Sequence, residues 1–133
     1  MMKWEGDFMK IEHIAIWTNN LEEMKDFYTR FFHGKANEKY VNPKKHFESY
    51  FIQFESGTRL ELMRRPDLAK GEENASGYAH MAFSLGSRQE VDEMTSRFEK
   101  EGYQVAGKPR VTGDGYYESV ILDPDGNIVE LTV

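Results

Sequence analysis

The alternation of hydrophobic and polar positions predicts one strand, one helix and three further strands in the first half of the chain. Residues 11–17 alternate in the manner of a strand, and the next segment repeats apolar side chains at helical spacing. We expect Asn19 or Asn20 to begin this helix and Gly34 to end it. The extended stretches that follow, with a turn at residues 56–57 between the last two, are residues 36–41, 47–54 and 58–63.

The second half predicts the same order of elements. After a polar loop, helical spacing over residues 87–100 predicts a second helix that Gly102 ends. The residues between 123 and 127 are strong turn formers, so the last two strands should form a hairpin. The strands of this half are predicted at residues 78–85, 103–106, 116–122 and 128–133. Both halves therefore have the order βαβββ.

The two halves also match residue by residue, as expected of an internal repeat. The matched segments lie 67 to 70 residues apart and are His13-Ile14-Ala15-Ile16 with His80-Met81-Ala82-Phe83, Phe47-Glu48-Ser49 with Tyr117-Glu118-Ser119, and Leu60-Glu61-Leu62 with Val129-Glu130-Leu131. We predict an α+β fold in which tandem βαβββ modules, residues 10–65 and 77–133, form a curved eight-stranded sheet around a cleft. Together the modules would make a single domain over residues 1–133.

Four polar residues take matching positions in the two halves: His13, Glu61, His80 and Glu130. Strand side chains alternate between faces, and the apolar neighbours of these four predict the face that the helices cover. The four should therefore share the opposite face, where Ala15 and Ala82 would leave room. Two imidazole nitrogens and two carboxylate oxygens suit one divalent Ni, Co, Zn, Mn or Fe ion.

Each of the four residues also fits a purely structural role. A histidine in a strand is often a hydrogen-bonded residue, and a glutamate on an outer sheet face is often solvated. The matching positions favour the metal site over this alternative, because one constellation then explains all four residues.

Composition and charge narrow the chemistry. The 133 residues are 39% hydrophobic and 30% charged, the balance of a globular domain. A net charge of −6 argues against a nucleic acid or an anionic membrane, so we expect a small-molecule substrate. The chain has no cysteine, which excludes thiolate ligands and thiol nucleophiles. With no secretory or membrane-spanning pattern, we expect a cytoplasmic protein.

Further residues are weaker candidates. Glu48 and Glu118 could support the metal ligands, although surface charge pairs explain them as well. The side chains that we expect to line the cleft and bind the substrate, with the arginines suited to an anionic group, are Trp17, Tyr50, Arg65 and Arg110.

Three motifs resemble one known superfamily. They are Glu-His-Ile-Ala-Ile at residues 12–16, Gly-Tyr-Ala-His-Met-Ala-Phe at residues 77–83 and Asp-Pro-Asp-Gly-Asn-Ile-Val-Glu-Leu at residues 123–131. Together with the tandem repeat, they resemble the vicinal oxygen chelate superfamily, which contains glyoxalases, bleomycin resistance proteins and dioxygenases. The glyoxalase I-like members are the most similar in size.

The resemblance implies roles for the four polar residues. The metal ligands of the family fall on His13, Glu61, His80 and Glu130. In glyoxalase I, one ligand glutamate moves a proton between adjacent carbons of a hemithioacetal, so Glu130 would be the catalytic base and Glu61 its counterpart. Members that use glutathione usually carry Arg and Asn four residues after the first and second ligands, where this chain has Trp17 and Arg65, so glutathione dependence is in doubt.

Three functions follow from the resemblance. The first is a metal-dependent lyase or isomerase that acts by proton transfer on a small oxygenated substrate that chelates the metal. The second is an Fe(II) dioxygenase that uses His13, His80 and Glu130 as a facial triad, although Glu61 would fill a position that such an enzyme leaves open. The third is a thiol transferase or small-molecule-binding protein of the resistance type. We expect a homodimer, with the modules paired either within one chain or across two.

Overall fold

Two series of strands and helices follow each other along the chain. The structure, a computed structural model, describes residues 9–72 and 74–133. The first series consists of β1 (His13–Trp17), α1 (Leu21–Phe32), β2 (Lys35–Ala36), β3 (Tyr40–Asn42), β4 (Phe47–Gln53) and β5 (Arg59–Arg64). The second consists of β6 (His80–Ser84), α2 (Arg88–Lys100), β7 (Val105–Val111), β8 (Tyr117–Leu122) and β9 (Ile128–Thr132).

Each series forms its own sheet with the same strand order. The first sheet runs β1-β5-β4-β2, with β3 also paired to β4, and the second runs β6-β9-β8-β7. Strand β1 is parallel to β5, and β6 is parallel to β9. The other strand pairs are antiparallel. The chain divides between Leu68 and Ala69 into two compact units, called here the N-terminal unit and the C-terminal unit. The mixed α+β repeat is confirmed at the level of strand order.

The predicted number of strands and the single sheet are not confirmed. We expected eight strands in one curved sheet, and the described residues form nine strands in two sheets. The extra strand arises because the stretch at residues 36–41 splits into β2 and β3. Against β4, three residues between Ala36 and Tyr40 oppose only two between Ser49 and Ile52, so the pairing is interrupted there.

The strand that follows the helix was also misplaced in the second half. We predicted residues 103–106, and β7 extends over Val105–Val111 with two shifts of register against β8. Pro109 cannot donate to a sheet ladder, and it is tolerated because β7 lies at the edge of its sheet. Gly107 and Pro109 hide the alternation that would have marked this strand.

The helices cover one face of each sheet. In the N-terminal unit the side chains of α1 that pack on β4 and β5 are buried, and so are Leu60 and Leu62. In the C-terminal unit Phe98 of α2 is buried, as are Val129 and Leu131. These four strand residues confirm the predicted core face. Ile14 departs from the prediction, because it is 37% exposed on β1, which is an edge strand.

The turn before β9 fixes the start of the strand that carries Glu130. The buried carboxylate of Asp123 accepts hydrogen bonds from the backbone N–H of Asp125 and from both the backbone and the side-chain amide of Asn127, at 2.9 to 3.0 Å. Gly126 has φ +84°, a conformation that favours glycine. The predicted hairpin turn is confirmed.

Within the described residues, neither helix is long and apolar enough to cross a membrane.

Candidate metal site

The N-terminal unit brings His13 and Glu61 together. Strands β1 and β5 are parallel neighbours, and their register places Ala15 opposite Glu61. His13 lies two residues from Ala15 and so shares its face. The Nε2 atom of His13 is 3.9 Å from Oε1 of Glu61. The side chain of His13 is 43% exposed and that of Glu61 is 18% exposed.

The C-terminal unit repeats this arrangement on β6 and β9. Ala82 lies opposite Glu130, which puts His80 and Glu130 on one face. Nε2 of His80 is 3.2 Å from Oε1 of Glu130, and the two side chains are 39% and 20% exposed. Each unit therefore carries one imidazole–carboxylate pair on the face that its helix does not cover, called here the polar face.

The chemistry and spacing of both pairs suit a divalent cation. Two ligands bound about 2.1 Å from one ion lie roughly 3.0–3.4 Å apart in octahedral or tetrahedral geometry. The separation in the His80–Glu130 pair, 3.2 Å, falls in this range, and the 3.9 Å of the His13–Glu61 pair needs a small approach. Residues 9–72 and 74–133 contain no group of three or more His, Asp or Glu side chains placed so that they could hold a metal.

His13 is surrounded by a charged and aromatic cluster. Its Nδ1 atom lies 3.3 Å from Oε2 of Glu12, and Glu12 is ion-paired with Arg59. The hydrogen bond from Arg59 holds the pKa of the Glu12 carboxyl below its ordinary value. The ring of Phe51 meets the imidazole edge-on at 5.5 Å. These neighbours of His13 were not predicted from the sequence. A difference between the halves could have revealed them, since Arg59 stands where the repeat has Ile128.

Glu130 has a second carboxylate beside it. The register of β8 and β9 places Glu118 on the polar face, diagonal to Glu130. Burial and the charge of Glu130 raise the pKa of the Glu118 carboxyl, and Arg110 opposes part of this effect. Arg110 lies directly opposite Glu118 on β7 and so shares the polar face. Glu118 and Arg110 therefore both adjoin the candidate site in the C-terminal unit.

Glu48 does not hold the position that we predicted from the repeat. It pairs with Arg64 across β4 and β5, and Arg64 alternates with Leu62 on the face that α1 covers. Its carboxylate makes ion pairs with Lys39 at 3.7 Å and Arg64 at 3.6 Å. The strand pairings show an offset of 69 residues, which makes Ser49 the equivalent of Glu118. The predicted offset of 70 was wrong by one residue, and a shift of one residue exchanges the faces of a strand.

Trp17 and Arg65 lie together in the N-terminal unit. The guanidinium of Arg65 sits 4.3 Å from the centroid of the Trp17 ring, and Phe47 meets this ring edge-on at 6.1 Å. Trp17 alternates with Ala15 and His13 along β1, so it belongs to the polar face. It is 42% exposed, which leaves part of the indole accessible to a ligand.

Tyr50, the remaining predicted substrate residue, lies on the other side of the sheet. Tyr50 of β4 pairs with Leu62 of β5, and this places Tyr50 on the face covered by α1. Tyr50 is only 8% exposed, and its hydroxyl donates a hydrogen bond to Glu22 of α1 at 2.8 Å. The expectation that Tyr50 lines the site is therefore corrected: it connects the helix to the sheet.

Comparison with known proteins identifies the family. Residues 10–131 match the model of the Glyoxalase/Bleomycin resistance protein/Dioxygenase superfamily. The chain belongs to this superfamily. YqjT, an uncharacterized protein of Bacillus subtilis (strain 168), is 40% identical over 58 residues, which are 41% of this chain and 45% of that protein.

Solved structures show the same glyoxalase fold. A mutant of glyoxalase I from Zea mays matches 92% of this chain with a TM-score of 0.77 and 21% identity, and this match covers 44% of the maize chain. The trypanothione-dependent glyoxalase I of Leishmania major matches 94% of this chain and 86% of its own, with a TM-score of 0.75 and 23% identity. The match therefore spans less than half of the Bacillus protein and of the maize chain. At these identities, the structural likeness shows the fold.

Proposed function

We propose that this superfamily member is a metal-dependent enzyme of the glyoxalase type, a lyase or isomerase that moves a proton on a small oxygenated substrate. The observation that carries the proposal is the imidazole–carboxylate pair, which occurs at the same register in both units. The same two residue types take matching positions in both units, and Nε2 lies near a carboxylate oxygen each time.

The two pairs together would hold one divalent ion of Ni, Co, Zn, Mn or Fe. The ligands are His13, Glu61, His80 and Glu130, supplied either by one chain or by two chains of a homodimer. When bound, such an ion would act as a Lewis acid that stabilises negative charge on substrate oxygens. Two nitrogens and two carboxylate oxygens fit the borderline preference of these ions.

Glu130 is proposed as the base, with Glu61 as its counterpart. A half-buried carboxylate can take a proton from one substrate carbon and return it to the adjacent carbon. Glu118 lies diagonal to Glu130 across β8 and β9, and Arg110 lies opposite Glu118 on β7. Arg110 would orient an anionic group of the substrate near this base.

Trp17 and Arg65 are proposed to bind the rest of the substrate. The stacked pair offers an aromatic surface and a cation, which suit a ligand with a flat or anionic end. In glutathione-using relatives these positions usually hold Arg and Asn, so glutathione is not the favoured thiol. Because the Leishmania major enzyme depends on trypanothione, other thiol adducts belong in the substrate panel.

The test is an activity assay on metal-loaded protein and on a Glu130→Gln variant. We expect isomerisation of one or more aldehyde–thiol adducts, no oxygen uptake with catechols, and a decrease of about 10²–10⁴-fold in kcat for Glu130→Gln. The matched control is Glu99→Gln, at an exposed position of α2. Full activity in Glu130→Gln, or activity that survives complete chelation, would contradict the proposal. Oxygen uptake would favour the dioxygenase instead.

A further inference from the structure

Glu12 makes an unusual contact with the next residue in the chain. Neighbouring residues of an extended chain point to opposite faces, and yet Oε2 of Glu12 lies 3.3 Å from Nδ1 of His13. The carboxylate must therefore fold back toward the imidazole. This position needs a partner that holds it there.

Arg59 is this partner. Its Nε atom donates to both carboxylate oxygens of Glu12, at 2.7 and 3.2 Å, and its Nη2 atom makes a further contact with Oε1. The backbone N–H of Arg59 also donates to the carbonyl of Glu12 at 2.9 Å. The guanidinium lies 4.0 Å from the centroid of Phe51, whose ring meets His13 edge-on. Phe51 and Arg59 together fix the place of the carboxylate and of the imidazole.

We infer that Glu12 is a positioning residue that keeps the ring proton of His13 on Nδ1 and turns the lone pair of Nε2 toward Glu61. A carboxylate that accepts from one ring nitrogen determines the tautomer and leaves the other nitrogen as a ligand. Nε2 of His13 is 3.9 Å from Glu61, beyond hydrogen-bond distance, so Glu12 is the closer acceptor. The role of this tautomer in metal binding rests on the proposed function.

The C-terminal unit has no equivalent of the Glu12–Arg59 ion pair beside its histidine. The positions that correspond to Glu12 and Arg59 hold Ala79 and Ile128. Nε2 of His80 lies 3.2 Å from Glu130, within reach of a hydrogen bond. In the metal-free protein the two histidines should therefore carry their protons on different nitrogens: His13 on Nδ1 and His80 on Nε2.

The first test reads the tautomers directly in the metal-free protein. Two-bond ¹H–¹⁵N correlation spectra at about pH 8.5, where free imidazole is neutral, distinguish the two forms. We expect Nδ1–H for His13 in the wild type and Nε2–H after Glu12→Ala, because the alanine leaves no acceptor beside Nδ1. Glu55→Ala, in the exposed turn before β5, is the matched control. Nε2–H for His13 in the wild type, or no change after Glu12→Ala, would overturn the inference.

The second test measures zinc affinity by competition with a chelating dye. Removing a carboxylate that orients a histidine ligand commonly lowers metal affinity about 10–100-fold, and we expect this loss for Glu12→Ala but not for Glu55→Ala. Equal zinc affinity in the wild type and Glu12→Ala would overturn the positioning role. If the wild type binds none of Ni, Co, Zn, Mn and Fe, the proposed function fails, whereas the tautomer spectra still decide whether Glu12 orients His13.

Discussion

Glu61 and Glu130 occupy the same position in their units, and their neighbours across the sheet differ. Beside Glu130 lies Glu118, whereas the equivalent neighbour of Glu61 is Ser49. Burial and the nearby charge of Glu130 raise the pKa of the Glu118 carboxyl. The C-terminal unit therefore has two adjacent carboxylates at a position where the N-terminal unit has one.

Replacing Glu118 with glutamine should stabilise the metal-free protein at neutral pH. A carboxyl whose pKa is higher in the folded state than in the unfolded state lowers the free energy of unfolding at pH values where it is ionised. At low pH the carboxyl is protonated in both states, and this destabilisation disappears. Glu118→Gln should therefore raise the free energy of unfolding by roughly a few tenths of a kcal/mol at pH 7 and leave it unchanged near pH 3. Urea unfolding in the presence of a chelator measures both values. A less stable variant at pH 7 would contradict this explanation.

At the residue scale, the repeat was enough to find the two imidazole–carboxylate pairs. It could not place Tyr50, because β4 buries residues on both of its faces and so shows no clean alternation. The repeat did not reveal the ion pair of Glu12 and Arg59 either. A search for matching residues overlooks an interaction that only one half of the chain has. Their roles depend on contacts between residues 47 positions apart.

At the element scale, strand and helix identities followed from the hydrophobic pattern, and strand registers did not. The helix bounds differ little from prediction, with α1 beginning after Asn20 and α2 after Ser87. The predicted offset between β4 and its equivalent β8 was wrong by one residue. It was chosen because Glu48 and Glu118 are identical in type, whereas the pairing of β4 with β5, seen only in the structure, gives the correct offset. This single residue decides which side of the sheet a carboxylate occupies.

The end of α1 is a second correction at this scale. We expected Gly34 to end the helix, but α1 ends at Phe32 and His33 takes the left-handed conformation with φ 56°. Gly34 is needed for space, since a Cβ atom there would lie 2.3 Å from Cγ2 of Ile52 and 3.3 Å from the carbonyl oxygen of Tyr28. The helix can approach the sheet this closely only without a side chain at residue 34.

Gly34→Ala should therefore destabilise the protein by about 1–3 kcal/mol, the usual cost of overpacking a core. Thermal or urea unfolding measures the loss. The matched control is Gly113→Ala in the loop before β8, where an added Cβ would meet nothing within 4 Å, and we expect it to be nearly neutral. Equal stability of the two variants would show that the contact with Ile52 relaxes without cost.

At the scale of the whole molecule, the chain consists of two units of similar topology, each with one imidazole–carboxylate pair on its polar face. Membership of the glyoxalase superfamily agrees with this organisation. Each unit supplies one such pair, and two ligands are fewer than a divalent ion of this kind takes from a protein. We therefore propose that one ion needs both pairs, in a homodimer. The two pairs of one site come either from one chain or from two chains.

The most direct test of this central claim is the stoichiometry and affinity of divalent metal binding, measured by calorimetry with zinc and by metal analysis. We expect one ion per chain in the wild type, and a loss of affinity of at least about 100-fold for both His13→Ala and His80→Ala, since each removes one of four ligands. His46→Asn, in the loop before β4, is the control that should bind as the wild type does. Unchanged affinity in either His13→Ala or His80→Ala would contradict a site built from both pairs.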